Sequence, residues 1–165
     1  MEQKIKFLTK QSFLRMAKKH KAKKHWSTAE IRWEYHQKVI AELKKRSFKT
    51  ILEAGTMGAI LCSNADTIDL DLPKQQWALD YDVTYEHDLT KFPYPIKDKQ
   101  YDIFIALRVY HHFPADPKIY LAEMLRIAHN VILAFPEKVA DRYIKTRNPV
   151  KIIKCYKSDT TILIY

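Results

Sequence analysis

The sequence predicts an α/β fold built on a largely parallel sheet, with an antiparallel hairpin at its C-terminal end. Three observations lead there. Short apolar runs around residues 50–52, 67–72, 83–88, 101–107 and 130–135 have strand length and are separated by turns or helical segments, as strands buried on both faces are. The first three run into acids, Glu53, Asp71 and Asp88, and ligands of open parallel sheets bind beyond the carboxyl ends of the strands. Finally, Val150–Tyr156 and Thr160–Tyr165 face each other across Lys157-Ser158-Asp159, as a terminal hairpin does.

At 165 residues the chain is long enough for one domain with a real core. Charge divides it unevenly. Residues 1–49 hold 15 Lys/Arg against 4 Asp/Glu, while residues 50–165 hold 14 against 15. The expected organisation is a basic helical extension over 1–48 and a near-neutral sheet domain over 49–165. No apolar run reaches transmembrane length. The start, Met1–Lys6, has no signal-peptide core, so a cytoplasmic protein is expected. Cys62 and Cys155 are far apart, lack metal-ligand spacing and read as two reduced thiols.

Phe13, Leu14 and Ala17 fall at helical spacing and predict a helix from about Thr9 to His25. Ala17-Lys18-Lys19-His20 recurs as Ala22-Lys23-Lys24-His25, which sets lysines around most of that helix. Residues 4–25 are therefore a candidate contact for nucleic acid, anionic lipid or another polyanion. A plain solvated helix is the other reading. Residues 26–46 form the clearest helix. Ser27-Thr28-Ala29-Glu30 reads as a capping box, with Trp26 and Ile31 as its hydrophobic staple. Ile31, Tyr35, Val39, Ile40 and Leu43 make one apolar face. Lys44-Lys45-Arg46 sit in the last turn, where cations suit the helix end.

The chain has two glycines, Gly55 and Gly58, and both follow the first strand in Glu53-Ala54-Gly55-Thr56-Met57-Gly58. Glycine used so sparingly marks a positive φ or a close backbone approach. An acid opening that turn suits a ligand with cationic or hydroxyl groups better than a bare phosphate. Only eight residues, Ala59–Asp66, separate Gly58 from Thr67. A right-handed parallel crossover takes at least about 10–12, so an antiparallel pairing of the first two strands stays open.

Asp71-Leu72-Pro73 ends the second strand, and Asp69 precedes it by two residues. Lys74–Tyr81 is a short link in which Trp77 packs. Asp88 and Leu89 follow the third strand. Phe92-Pro93-Tyr94-Pro95-Ile96 reads as an irregular surface loop. Asp102 opens the fourth strand as a structural residue, and Arg108–Phe113 would line the cleft mouth after it. A helix runs to Ile127 with Asp116 as cap and Pro117 as first residue. Its buried face is Tyr120, Leu121, Met124 and Leu125. Glu137–Arg147 is a further helix.

In order and spacing, Leu52-Glu53-Ala54-Gly55, Ile68-Asp69-Leu70-Asp71-Leu72-Pro73, His87-Asp88-Leu89 and Tyr101–Phe113 resemble the motifs of class I S-adenosylmethionine-dependent methyltransferases, over roughly residues 49–136. The resemblance implies a Rossmann-like methyltransferase sheet and S-adenosyl-L-methionine as cofactor. It implies that Glu53, Gly55, Thr56 and Gly58 meet the cofactor. Asp71, with Asp69 as the fallback, would accept from the ribose hydroxyls. Asp88, with Leu89 beside it, would meet the adenine amino group, and Ala106 and Arg108 would border the same cleft. In many relatives an N-terminal helix covers the cleft, which would bring Trp33, Tyr35 and His36 toward the ligand. Core packing is the default reading for these aromatics.

Methyl transfer is an in-line displacement on a sulfonium, so the protein mainly aligns the acceptor. An oxygen or nitrogen acceptor also loses a proton, a task suited to histidine. His111 and His112, with Tyr110 beside them, are the catalytic candidates. No further ligand accompanies the histidine pair, and no metal is expected. Met57 and Ala59 stand where the family commonly has glycines, and the helix after the turn is cut to a turn or two.

The expected activity is thus methyl transfer from S-adenosylmethionine to a small-molecule or nucleic-acid acceptor. The alternative is a catalytically degenerate module of this fold that binds RNA or another polyanion through its basic helices. A nicotinamide dehydrogenase is disfavoured, because the Gly-x-Gly-x-x-Gly fingerprint is absent.

Overall fold

The structure, a computed structural model, describes residues 5–19, 23–69, 83–113 and 115–165. Its sheet comprises β1 (Ile51–Ala54), β2 (Asp66–Asp69), β3 (Tyr85–Glu86), β4 (Tyr101–Leu107), β5 (Ala128–Pro136), β6 (Lys151–Cys155) and β7 (Thr160–Ile164). Their spatial order is β3-β2-β1-β4-β5-β7-β6. The first five strands run parallel, and β7 lies antiparallel between β5 and β6. The order reverses between β1 and β4, so the two halves part there.

Among the described residues the α-helices are α1 (Lys10–Lys19), α2 (Lys23–Trp26), α3 (Ala29–Leu43), α4 (Pro117–Ile127) and α5 (Glu137–Thr146). Successive strand residues point to opposite faces, and both faces are covered. Leu52, Phe104, Val131 and Leu133 pack under Tyr120 and Met124 of α4 and Tyr143 of α5. Ile51, Ile103, Ile105, Ile132 and Ile162 pack under Tyr35, Val39, Ile40 and Leu43 of α3. The helical extension therefore supplies one of the two layers. Glu34 reinforces it by accepting from the Ser158 amide (3.0 Å) and hydroxyl (3.1 Å).

Local signals place α4 as expected: the Asp116 carboxylate accepts from the Lys118 amide at 2.9 Å, and Pro117 opens the helix. The hairpin and Asp102 also stand as read, the latter accepting from the Lys49 (2.7 Å) and Thr50 (3.0 Å) amides.

Two expectations are corrected. The capping box does not form. Thr28 is the cap residue of α3, the Ser27 hydroxyl donates to the Lys24 carbonyl (2.8 Å), and Ile31 is 44 % exposed. The reason is α2, which ends at Trp26 and turns that ring against Phe13 (5.4 Å) rather than Ile31. The Phe92–Ile96 segment is not a free surface loop. Tyr94 and Ile96 are buried, the Tyr94 amide donates to the Glu123 carboxylate (2.7 Å), and Arg126 donates to the Tyr94 and Ile96 carbonyls.

The short crossover keeps the parallel sense of the expected sheet, and the antiparallel pairing that its length leaves open does not form. β1 and β2 are parallel although no helix joins them. Two groups replace the helix as partners for the crossover backbone, which must be satisfied once buried. The Glu53 carboxyl accepts from the Leu61 (2.9 Å) and Cys62 (3.1 Å) amides. The N-terminal segment bonds from outside: Leu8 N–H to the Leu61 carbonyl (2.8 Å), Ser63 N–H to the Lys6 carbonyl (2.9 Å), with Phe7 bridging Cys62.

Burial pushes the Glu53 carboxyl up to about 8 from the usual 4.5, against the opposing pull of the Leu61 and Cys62 amides. The folded state thus holds this proton more tightly than the unfolded chain. The stability from this group is full below about pH 4.5 and is lost as pH rises to about 8. The wild-type Tm should therefore decline across that window relative to Glu53→Gln, which keeps an acceptor and removes the titration. Parallel Tm–pH curves for the two proteins would refute this.

Candidate functional site

At the reversal between β1 and β4 the strands' carboxyl ends open into a cleft of about 210 Å³. Gly55 and Met57 of the turn after β1, Asp69 at the end of β2, and Leu89 form one side. Leu107, Val109, His112 and Phe113 after β4 form the other, and Arg32 of α3 reaches the mouth.

The turn is left-handed at three residues: Gly55 (φ 60°), Met57 (φ 49°) and Gly58 (φ 86°). Gly55 is required twice over. A Cβ there would sit 2.7 Å from both γ carbons of Val109, in a conformation that L side chains disfavour. Its amide donates to the Ile68 carbonyl (3.2 Å), which ties β1 to β2. Thr56 is engaged within the turn: its carbonyl accepts from Ala59 N–H (2.9 Å) and its hydroxyl from Gly58 N–H (3.4 Å).

The structure sorts the expected cofactor residues. Gly55, Asp69, Leu89 and Arg108 border the cleft. Glu53 does not: it lies buried on the α3 face of the sheet, clamped to the crossover backbone. Beside it is a cavity of about 20 Å³ shared with His36 and Thr56. Ala106 is buried in the core under α4. Asp88 caps its own turn, accepting from the Thr90 hydroxyl (2.7 Å) and amide (2.9 Å), and these bonds hold its carboxyl below the ordinary range. Asp71 and Trp77 lie outside the described residues, so Asp69 is the acid that the structure places on the wall.

Arg108 is itself left-handed (φ 59°), and its guanidinium leaves the cleft. It donates to the Thr160 hydroxyl (3.0 Å) and the Ser158 carbonyl (3.3 Å), pinning the end of β4 to the β6–β7 turn.

His111 and His112 share a 3₁₀ turn, Tyr110–His112, with ring centroids 3.8 Å apart. Burial lowers both imidazoles, His111 to about 4, helped by the charges of Arg108 and Arg32. Both are neutral at pH 7. They are not equivalent: His112 borders the cleft, whereas Nδ1 of His111 is buried without a hydrogen-bond partner. Tyr110 is removed from the catalytic set. It is buried in the core with its hydroxyl 2.9 Å from that of Tyr94, and burial raises its pKa well above the ordinary value.

Sequence reasoning missed Arg32 and Met57, while Val109 lies in the Arg108–Phe113 stretch expected at the cleft mouth. Of the two readings left for Trp33, Tyr35 and His36, core packing holds: Trp33 and Tyr35 pack against the core, and His36 lines the small cavity. Exposure of Ile31 sets the helix phase that brings Arg32 to the mouth, where its Nε donates to the Thr28 hydroxyl (3.1 Å) and its guanidinium lies 5.5 Å over Trp26. Among the described residues, no three His, Cys, Asp or Glu side chains are grouped to hold a metal ion. No helix there is long and apolar enough to cross a membrane.

Neither a protein-family model nor a curated protein sequence matches the chain. Solved structures do. A SAM-dependent methyltransferase from Aquifex aeolicus superposes with a TM-score of 0.57 at 12 % identity, over 95 % of this chain and 97 % of that one. A chain of the Haloferax volcanii complex between the Trm112 methyltransferase activator and a methyltransferase gives 0.58 at 12 %, over 87 % and 93 %. Magnesium protoporphyrin IX methyltransferase from Synechocystis PCC 6803, with bound SAM, gives 0.55 at 17 %, over 82 % and 79 %. At such identities the likeness concerns architecture, and it agrees with the strand order: the chain has the fold of the class I S-adenosylmethionine-dependent methyltransferases.

Proposed function

We propose that this protein is an S-adenosylmethionine-dependent methyltransferase whose cofactor sits at the reversal between β1 and β4. The observation that carries this is Asp69, 9 % exposed, presented on the cleft wall beside a glycine turn. A buried acid at the end of β2 fits a ligand with paired hydroxyls, such as a ribose. Leu89 and Phe113 give the apolar surface that a flat base needs.

The bound cofactor supplies a methyl group already activated on a sulfonium. The protein's own part is seating and alignment. Asp69 accepts from the hydroxyls and Gly55 lets the turn backbone approach. His112, neutral and facing the cleft, takes the acceptor's proton. His111 is the weaker base of the pair, because a conjugate acid near 4 releases its proton too readily at neutral pH. The cleft's 210 Å³ is below the roughly 300–1,000 Å³ usual for small-molecule sites. Seating therefore widens it, and Val109, which stands over Gly55, is the wall that yields.

Calorimetric titration with S-adenosylhomocysteine tests the seat. Wild type should bind at one site, and Asp69→Ala should lose roughly tenfold to 100-fold, the worth of charged hydrogen bonds. Gly55→Ala should bind weakly, whereas Val109→Ala, which only widens the cleft, should bind at least as well as wild type. Unaltered affinity in Asp69→Ala and Gly55→Ala would place the ligand elsewhere.

With an acceptor in hand, His112→Ala should retain S-adenosylhomocysteine binding and lower turnover by about 10²-fold or more. Equal loss of binding and turnover would instead make His112 a seating residue.

A further inference from the structure

The basic extension is not absorbed by cofactor binding. On α1, Phe13 and Ala17 are buried. At about 100° per residue, Arg15, Lys18 and Lys19 lie on the opposite side of the helix. All three are exposed, as is Lys24 of α2. Lys10 pairs with Glu30 (2.8 Å), but among the described residues Arg15, Lys18, Lys19 and Lys24 form no ion pair. The exposed cations of α1 thus share one side of that helix, and Lys24 continues them in sequence on α2.

That face borders a groove of about 440 Å³ with walls from Leu14, Ala17, Trp26 and Ala29, and Lys18 beside them. The groove does not end there. Trp26 stacks with Arg32, and Arg32 is also the residue that reaches the cleft mouth. Basic rim, apolar groove and cleft are joined through one Trp–Arg contact. We infer that the methyl acceptor is single-stranded nucleic acid, bound along the Arg15–Lys18–Lys19–Lys24 face and led past Trp26 and Arg32 into the cleft.

The chemistry favours this occupant. Phosphates suit the unpaired cations, and an unstacked base suits the apolar groove, which the buried Trp26 backs and the Arg32 guanidinium flanks. A walled cleft at the strands' carboxyl ends can be entered by a base splayed out of a single strand, whereas a duplex keeps its bases stacked and paired. A membrane surface fits less well. The apolar residues of α1 are spent inward, and Ile31 is the one large exposed hydrophobic of α1–α3 among the described residues.

This inference rests on the methyltransferase reading, and the two fail differently. The test uses the full chain and a fluorescein-labelled 20-nucleotide RNA of mixed sequence, followed by anisotropy from about 50 to 200 mM salt. Wild type should bind with a steep salt dependence. Lys18→Gln/Lys19→Gln/Lys24→Gln removes three phosphate contacts at exposed positions. It should lower the log–log salt slope by about 2 and the affinity by roughly 100-fold at 0.1 M salt, while S-adenosylhomocysteine titration stays unchanged.

The inference is overturned if wild type ignores the strand or if the triple variant binds it like wild type. It is also overturned if a 20-base-pair duplex, an acidic peptide, or phosphatidylserine-containing vesicles bind as tightly. Strand binding without S-adenosylhomocysteine binding would overturn the methyltransferase reading, and with it the assignment of the strand as acceptor.

Discussion

One buried carboxyl organises the functional end of this protein. Glu53 turns away from the cleft and holds the Leu61 and Cys62 amides. The crossover from β1 to β2 is too short for a helix, so its backbone would otherwise enter the core unsatisfied, at a cost of about 1–3 kcal/mol per group. With the clamp in place the chain turns through Gly55–Gly58 and returns parallel. That return places Asp69 beside the turn. The N-terminal segment completes the arrangement from outside, through Lys6, Phe7 and Leu8. The extension is therefore part of the fold that forms the cleft, and its α3 face supplies one layer of the core.

The electrostatics of the cleft follow from the same placement. α3 brings Arg32 to the mouth, and the left-handed Arg108 sends its guanidinium to the β6–β7 turn. Burial, helped by both cations, keeps His111 and His112 neutral. A neutral imidazole at the cleft can take a proton, and a basic rim can gather an anionic partner. Charge on the extension and base chemistry in the cleft are thus two effects of one set of helices.

The strands and α4 were legible in the sequence because their signals are local: apolar runs of strand length, and Asp116-Pro117 at a helix start. The reversal of strand order between β1 and β4 was not read, because no local residue pattern records which strands are neighbours. What failed depended on distant partners. Tyr94 sits between two prolines and reads as surface, yet Glu123 and Arg126 hold its backbone inside. Ser27 has the spacing of a capping box, but α2 takes its hydroxyl. Glu53 reads as a ligand acid, whereas the missing helix had left two amides that needed it more. Arg32 was overlooked because Ile31 was assigned to the buried face, and a shift of one residue on a helix moves the inward direction by about 100°.

The central claim is that the glycine turn after β1 is the seat of an adenosyl ligand. The chain's composition offers a direct measurement. Both of its glycines, Gly55 and Gly58, lie in that turn, so protein labelled with ¹⁵N-glycine gives two backbone amide resonances, each reporting on the cleft. Titration with S-adenosylhomocysteine should move both in a saturable manner, Gly55 most, since its amide bonds β2 and its Cα faces Val109. Two resonances that hold their positions at millimolar ligand would contradict the account.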